Sequence, residues 1–166
     1  MNPKDMALAD AQLAVETFSR SYEELLKRHQ KLPTLAELDH TTDILEYISR
    51  HRTAPRNMAR FVRGHLLETI NAWMGYLHWF VLPNQQNAVS MEEYGFVTDQ
   101  ERQKVIKVLN WNMYRNRDAN LLQISEDDDR TVDFIISVFA EWKIHKETIV
   151  YVLDKSRATW KAKLEK

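Results

Sequence analysis

The sequence predicts an all-α fold: a single-domain antiparallel helical bundle of about five helices, with a hydrophobic third helix at its centre. Three observations predict it. Apolar residues recur at three- and four-residue steps through most of the chain, only three glycines and four prolines interrupt its 166 residues, and 44% of those residues are hydrophobic. A β-sandwich or barrel needs more turn residues than this. No internal repeat and no proline-, glycine- or serine-rich linker divides the chain, so one domain is expected. A chain of this length buries about two-thirds of the surface it exposes when unfolded.

The first predicted helix starts at Asn2 as cap, with Pro3 in the first turn, where a missing amide hydrogen is no loss. Leu8, Ala11, Val15, Phe18, Tyr22, Leu25, His29 and Leu32 alternate steps of three and four, which makes one apolar stripe, and Pro33 ends it. Thr34 with Glu37 is a capping box for a second helix that buries Leu38, Leu45 and Ile48. After Arg52, Thr53 and Pro55 restart the chain as a third helix running to Leu82, where Pro83 forbids continuation. From Leu66 to Leu82 apolar residues fall on nearly every side, as in a helix surrounded by others. That stretch is shorter than the ~20 residues a membrane span needs and carries Glu68, Asn71 and His78, so no membrane association is expected.

Residues 83 to 97 form the longest connection, with a Ser90 to Glu93 capping box and Gly95 closing one short helical turn. Thr98 with Glu101 opens a fourth helix that buries Val105, Ile106, Leu109 and Met113. It is expected to fray near Arg117 and Asp118 into a loop holding Leu121, Leu122 and Ile124. Asp128 or Asp129 caps a last long helix whose apolar face carries Val132, Ile135, Phe139, Trp142, Ile149, Leu153 and Trp160.

Composition removes several classes of function. The chain has no cysteine, which excludes disulfides, thiolate catalysis and cysteine-ligated zinc. The start, MNPKDMALADAQ, carries Asp5 and Asp10 and lacks the cationic head and apolar run of a secretory signal, so a cytoplasmic location is expected. A net charge of -1 gives no global attraction to nucleic acid or anionic lipid, and any such binding needs a local patch. There is no glycine-rich phosphate loop, no Gly-x-Ser-x-Gly element and no HExxH pair, and no cofactor is predicted.

The strongest charge feature is Arg50, Arg52, Arg56, Arg60 and Arg63, five arginines with no carboxylate between Ser49 and Leu67. The spacing puts Arg56, Arg60 and Arg63 on one helix face in the first turns, where the helix dipole disfavours cations. Something negative should compensate them. Glu126, Asp127, Asp128 and Asp129, with Asp118, are the internal candidates; a phosphate or another partner's anion is the external one. Trp111, Tyr114, Arg115 and Arg117 interleave rings and cations with Asn110, Asn112 and Asn116, as single-stranded nucleic-acid sites do.

A polar stripe of Asn57, Arg60, Gly64, Glu68, Asn71, Gly75 and His78 crosses the third helix. Two helical glycines imply either close backbone contact or space for a ligand, set against plain solvent exposure of that edge. Glu37 with His40 and His65 with Glu68 are three apart, the spacing of paired metal donors, but only the first has the Glu-x-x-His order, and no metal site is assigned. Arg60, four intervening residues and His65 resemble the arginine-to-histidine motif of the HEPN family of small helical ribonucleases and nucleic-acid-associated domains. The resemblance covers two residues, with Phe61 where the family carries a polar residue. It implies metal-independent RNA cleavage, with His65 handling a proton and Arg60 stabilising phosphate, often across a dimer.

The leading expectation is a non-catalytic protein-interaction module, an adaptor or assembly subunit, whose arginine face meets a protein partner. RNA or DNA binding, or HEPN-like cleavage through Arg60 and His65, is the alternative, and homo-oligomerisation is left open.

Overall fold

The computed structural model describes residues 3–165, with side chains from residue 5, and these are helical with no strand. The helices are α1 (Pro3–Arg28), α2 (Leu35–Thr42), α3 (Ile44–His51), α4 (Met58–Leu77), α5 (Ala88–Tyr94), α6 (Asp99–Ser125) and α7 (Asp128–Leu164), with a 3₁₀ turn at His78–Phe80. Seven helices among the described residues replace the expected five. The expected Asn2 cap lies outside the described residues.

Two differences account for the count. The expected second helix is broken at Asp43, which adopts a left-handed conformation (φ 50°). Around it, short polar side chains take backbone groups that a continuous helix would use: Thr42 Oγ1 donates to the Leu38 carbonyl at 2.8 Å, and Asp39 Oδ1 accepts from the Leu45 amide at 2.9 Å. The short turn expected near Ser90 is a complete helix, α5, capped by Asn87, whose Oδ1 accepts from the Ser90 amide at 3.2 Å. Ser90 is instead a buried anchor whose hydroxyl accepts from the Asn84 amide at 2.9 Å.

Other boundaries follow the same local chemistry. The Thr34–Glu37 box caps α2, and Thr98 with Glu101 makes the reciprocal pair that opens α6. α4 begins later than expected because Asn57, not Thr53, caps it, its Oδ1 accepting the Arg60 amide at 3.0 Å. α6 does not fray at Arg117 and Asp118. No glycine or proline interrupts residues 99–125, Asp118 is paired with Arg115 one turn back, and Ala119 and Leu122 are buried. Asp127, one residue before the expected cap, receives the Arg130 amide at 2.9 Å and starts α7.

Backbone contacts gather into two compact units. The first comprises Met1–Leu66 and Leu122–Ser137. Its core is Phe18, Tyr22 and Leu25 of α1, Leu38 of α2, Ile44 and Ile48 of α3, Val62 and Leu66 of α4, and Val132 and Ile135 of α7, all buried. Burial of each such side chain contributes about 1.5–3 kcal/mol. The Tyr22 hydroxyl donates to the Pro33 carbonyl at 2.7 Å, which ties the turn after α1 to the helix and satisfies a buried polar group.

The second unit comprises Leu67–Leu121 and Val138–Lys166. Ile70, Met74 and Leu77 of α4, Phe80, Val105 and Val108 of α6, and Val138, Phe139, Ile149 and Val152 of α7 are among its buried side chains. Arg102 of α6 is its polar clamp. The guanidinium donates to the Tyr94 and Val97 carbonyls at 3.2 Å and to that of Phe80, and stacks over the Tyr94 ring at 3.6 Å. One forked cation thereby satisfies the carbonyl ends of the 3₁₀ turn and of α5. No described helix is long and apolar enough to cross a membrane.

Candidate anion-binding site

The arginine cluster lies in the first unit, at the end of α3 and the start of α4. Arg50 pairs with Glu46 one turn back and is exposed. Arg52 is the left-handed residue (φ 54°) that closes α3, with its side chain exposed. Arg56 is exposed and precedes α4, so the helix spacing relates only Arg60 and Arg63.

Arg60 is compensated from within, as the acidic run at 126–129 suggested. Its Nε donates to Asp128 Oδ1 at 3.1 Å and its Nη2 to the Glu126 carbonyl at 3.0 Å. The Asn57 amide also donates to both Asp128 oxygens at 3.2 Å. Those hydrogen bonds, and then Arg60, hold the Asp128 carboxyl below the usual aspartate range.

Arg63 is different. It sits on the buried stripe of α4 with Ala59 and Leu66, and only 7% of it is exposed. Its Nη1 is buried with no hydrogen-bond partner, and among the described residues the side chain forms no ion pair. Burial, and then the neighbouring charge of Arg60, push its pKa below the ordinary arginine value. A buried cation without a counter-charge is costly, and native proteins rarely keep one without use for it. Sequence spacing placed Arg63 beside Arg56 and Arg60 but gave no sign that it was buried.

His65 is held in packing. Its Nε2 donates to the Thr42 carbonyl at 2.9 Å, and its ring lies parallel to Phe61 at 6.0 Å and against Tyr47 at 4.8 Å. Glu37 Oε2 accepts from the Thr34 amide at 3.0 Å, which uses it for the α2 cap. Among the described residues no three His, Asp or Glu side chains are placed to hold a metal ion.

The second group of expected site residues lies in the second unit. Arg115 Nε donates to Glu141 Oε2 at 2.9 Å, its Nη2 to Glu141 Oε1, and its Nη1 to Asp118 Oδ2 at 3.2 Å. These bonds raise its pKa, the hydrogen bond to Glu141 foremost. Trp111 donates its indole proton to the same Glu141 and lies 4.4 Å from the His145 ring. Tyr114 and Arg117 are exposed. The segment's most versatile cation is therefore already occupied by two carboxylates, and its tryptophan is anchored, which leaves one ring and one guanidinium facing solvent.

The polar stripe is exposed at Gly64, Glu68, Asn71, Gly75 and His78. A side chain added at Gly64 or Gly75 would meet no neighbouring atom within 4 Å, so close helix packing does not explain either glycine. Asn71 joins Asn112 and Asn116 in a hydrogen-bonded triad at 2.8–3.0 Å, a use for those asparagines that single-helix periodicity could not reveal. No family model, curated protein or solved structure matches this chain.

Proposed function

We propose that the chain is a small helical interaction module whose α3–α4 arginine face receives a carboxylate from a protein partner, with Arg63 as the central receptor. The observation that carries this reading is the buried Arg63 guanidinium, whose Nη1 has no hydrogen-bond partner. A planar fork of donors in a dry setting is suited to a single carboxylate held by charge-assisted hydrogen bonds. Arg56 and Arg52, exposed and without ion pairs among the described residues, supply attraction around it.

Charge distribution favours an acidic peptide over a nucleic-acid backbone. Arg60 is bound to Asp128, the third in a run of four carboxylates, so a polyanion laid across this face would meet repulsion beside attraction. A compact anionic group avoids it. Engagement of His65 by Thr42 and of Arg60 by Asp128 likewise supports binding over proton transfer at these residues.

The test is titration of the full chain with a capped Ala-Glu-Ala tripeptide, which carries a single carboxylate, and, in parallel, with oligouridylate. The proposal expects salt-sensitive, saturable binding of the peptide that Arg56→Glu weakens while the far-ultraviolet helical signal is unchanged. Preferential binding of the oligonucleotide would transfer the arginine face to nucleic-acid recognition.

A further inference from the structure

A second, independent site lies in the second unit, where a cavity of about 410 Å³ opens beside the end of α4. Its walls include the rings of Tyr76, Trp79 and Phe80, and Gly75 leaves it open on the α4 side. Tyr76 and Trp79 stand three residues apart, so they share a face of the chain, and they stay 62% and 42% exposed, unusually wet for rings of this size. A glycine in a helix interior is disfavoured relative to alanine, and here it is not explained by a close neighbour.

Glu93 is the one charged residue lining the cavity among the described residues. Its Oε1 accepts from the Ser156 hydroxyl at 3.1 Å and from the Trp160 indole at 2.9 Å, and Ser156 is buried. Two donors from α7 fix the carboxylate's position, while Oε2 makes no hydrogen bond among the described residues. A positioned carboxylate with a spare oxygen, set among aromatic faces, is complementary to a cation with an apolar coat. The cavity is of the size that holds a small ligand.

We propose that this cleft binds a trimethylalkylammonium group, with Trp79 and Tyr76 facing its methyl groups and Glu93 balancing its charge. An unalkylated ammonium would lose three strong hydrogen bonds to water against one free carboxylate oxygen, whereas a quaternary ammonium has none to lose. The cation is therefore selected by the rings, and its charge by Glu93.

Calorimetric titration of the full chain with choline, with its uncharged carbon isostere 3,3-dimethylbutanol, and with a peptide carrying trimethyllysine tests this. Saturable binding of choline or of the peptide, at least about tenfold tighter than the isostere, is expected, and the tighter of the two identifies a free or a peptide-borne source. Glu93→Gln keeps an acceptor for Ser156 and Trp160 and removes the charge; it is expected to weaken binding about fivefold or more. Gly75→Leu fills the cleft and is expected to abolish binding with the helical signal retained. Equal affinity for the isostere, no binding of either cation, or unchanged binding by both variants overturns the proposal.

Discussion

Arg60 Nε donates to Asp128 Oδ1 at 3.1 Å, while Arg63, one turn further along α4, forms no ion pair among the described residues. The two arginines arise from one sequence cluster yet differ in kind. Arg60 is a half-exposed structural pair of the sort that contributes little by itself. Arg63 is a buried cation whose Nη1 has no hydrogen-bond partner.

That difference fixes the sign of a substitution. Replacing a lone buried charge by an apolar side chain of similar length removes a desolvation penalty, and at Arg63 it breaks no side-chain bond among the described residues. Arg63→Met is expected to leave stability unchanged or raise it by about 1–2 kcal/mol in urea unfolding. Loss of more than about 1 kcal/mol would mean that the guanidinium has an internal partner.

Arg102 should behave in the opposite way. A lysine there keeps the charge but cannot reach three carbonyls at once or stack flat on Tyr94. Arg102→Lys is expected to lower unfolding stability by about 2–3 kcal/mol through orphaned carbonyls. Amide exchange would report faster opening around residues 80 and 94–97, and unaltered exchange there would contradict the clamp.

Glu101 gives a pH dependence. Hydrogen bonds from Lys155, then Tyr151, then the Thr98 amide lower its pKa from 4.5 to about 2. The folded pKa lies below the unfolded one, so this contribution to stability is complete above about pH 4.5 and is lost as pH falls toward 2. Asp128, lowered by Asn57 and then Arg60, acts in the same sense. Glu101→Gln is expected to flatten the acid limb of a stability–pH curve without changing its form above pH 4.5. An acid limb as steep as that of the parent would remove Glu101 from the account.

Glu141 should couple two residues of the Trp111–Arg117 segment. Burial lowers the His145 pKa and Glu141 opposes that shift. Glu141→Ala is therefore expected to lower the His145 pKa further, read by proton NMR of the ring, and to lower stability by about 1–3 kcal/mol as Trp111 and Arg115 lose their shared acceptor. A higher His145 pKa would contradict this geometry.

Helix type and the caps of α2 and α6 were legible in the sequence because they depend on local chemistry, while the caps of α4, α5 and α7 fell at other residues than expected. The boxes at Thr34 and Thr98 and the apolar stripe through Phe18, Tyr22 and Leu25 need only neighbouring residues. Breaks set by competing side-chain hydrogen bonds were not legible, as at Asp43, nor was the persistence of α6 through Arg117 and Asp118, which rests on an ion pair and on buried Ala119 and Leu122. The arginine cluster was visible as a run of like charge. Which member is buried, and which is paired across 68 positions with Asp128, is set by tertiary contact. The aromatic cleft was signalled only by Gly75, since Glu93 comes from a different helix.

The most direct measurement is calorimetric titration of the capped Ala-Glu-Ala tripeptide into the parent chain and into Arg63→Met. The account expects saturable binding to the parent and at least about tenfold weaker binding to the variant, a loss of about 1.4 kcal/mol, with both proteins equally folded. Equal affinity of the two chains, or no binding of the peptide to the parent, would contradict the assignment of Arg63 as the carboxylate receptor.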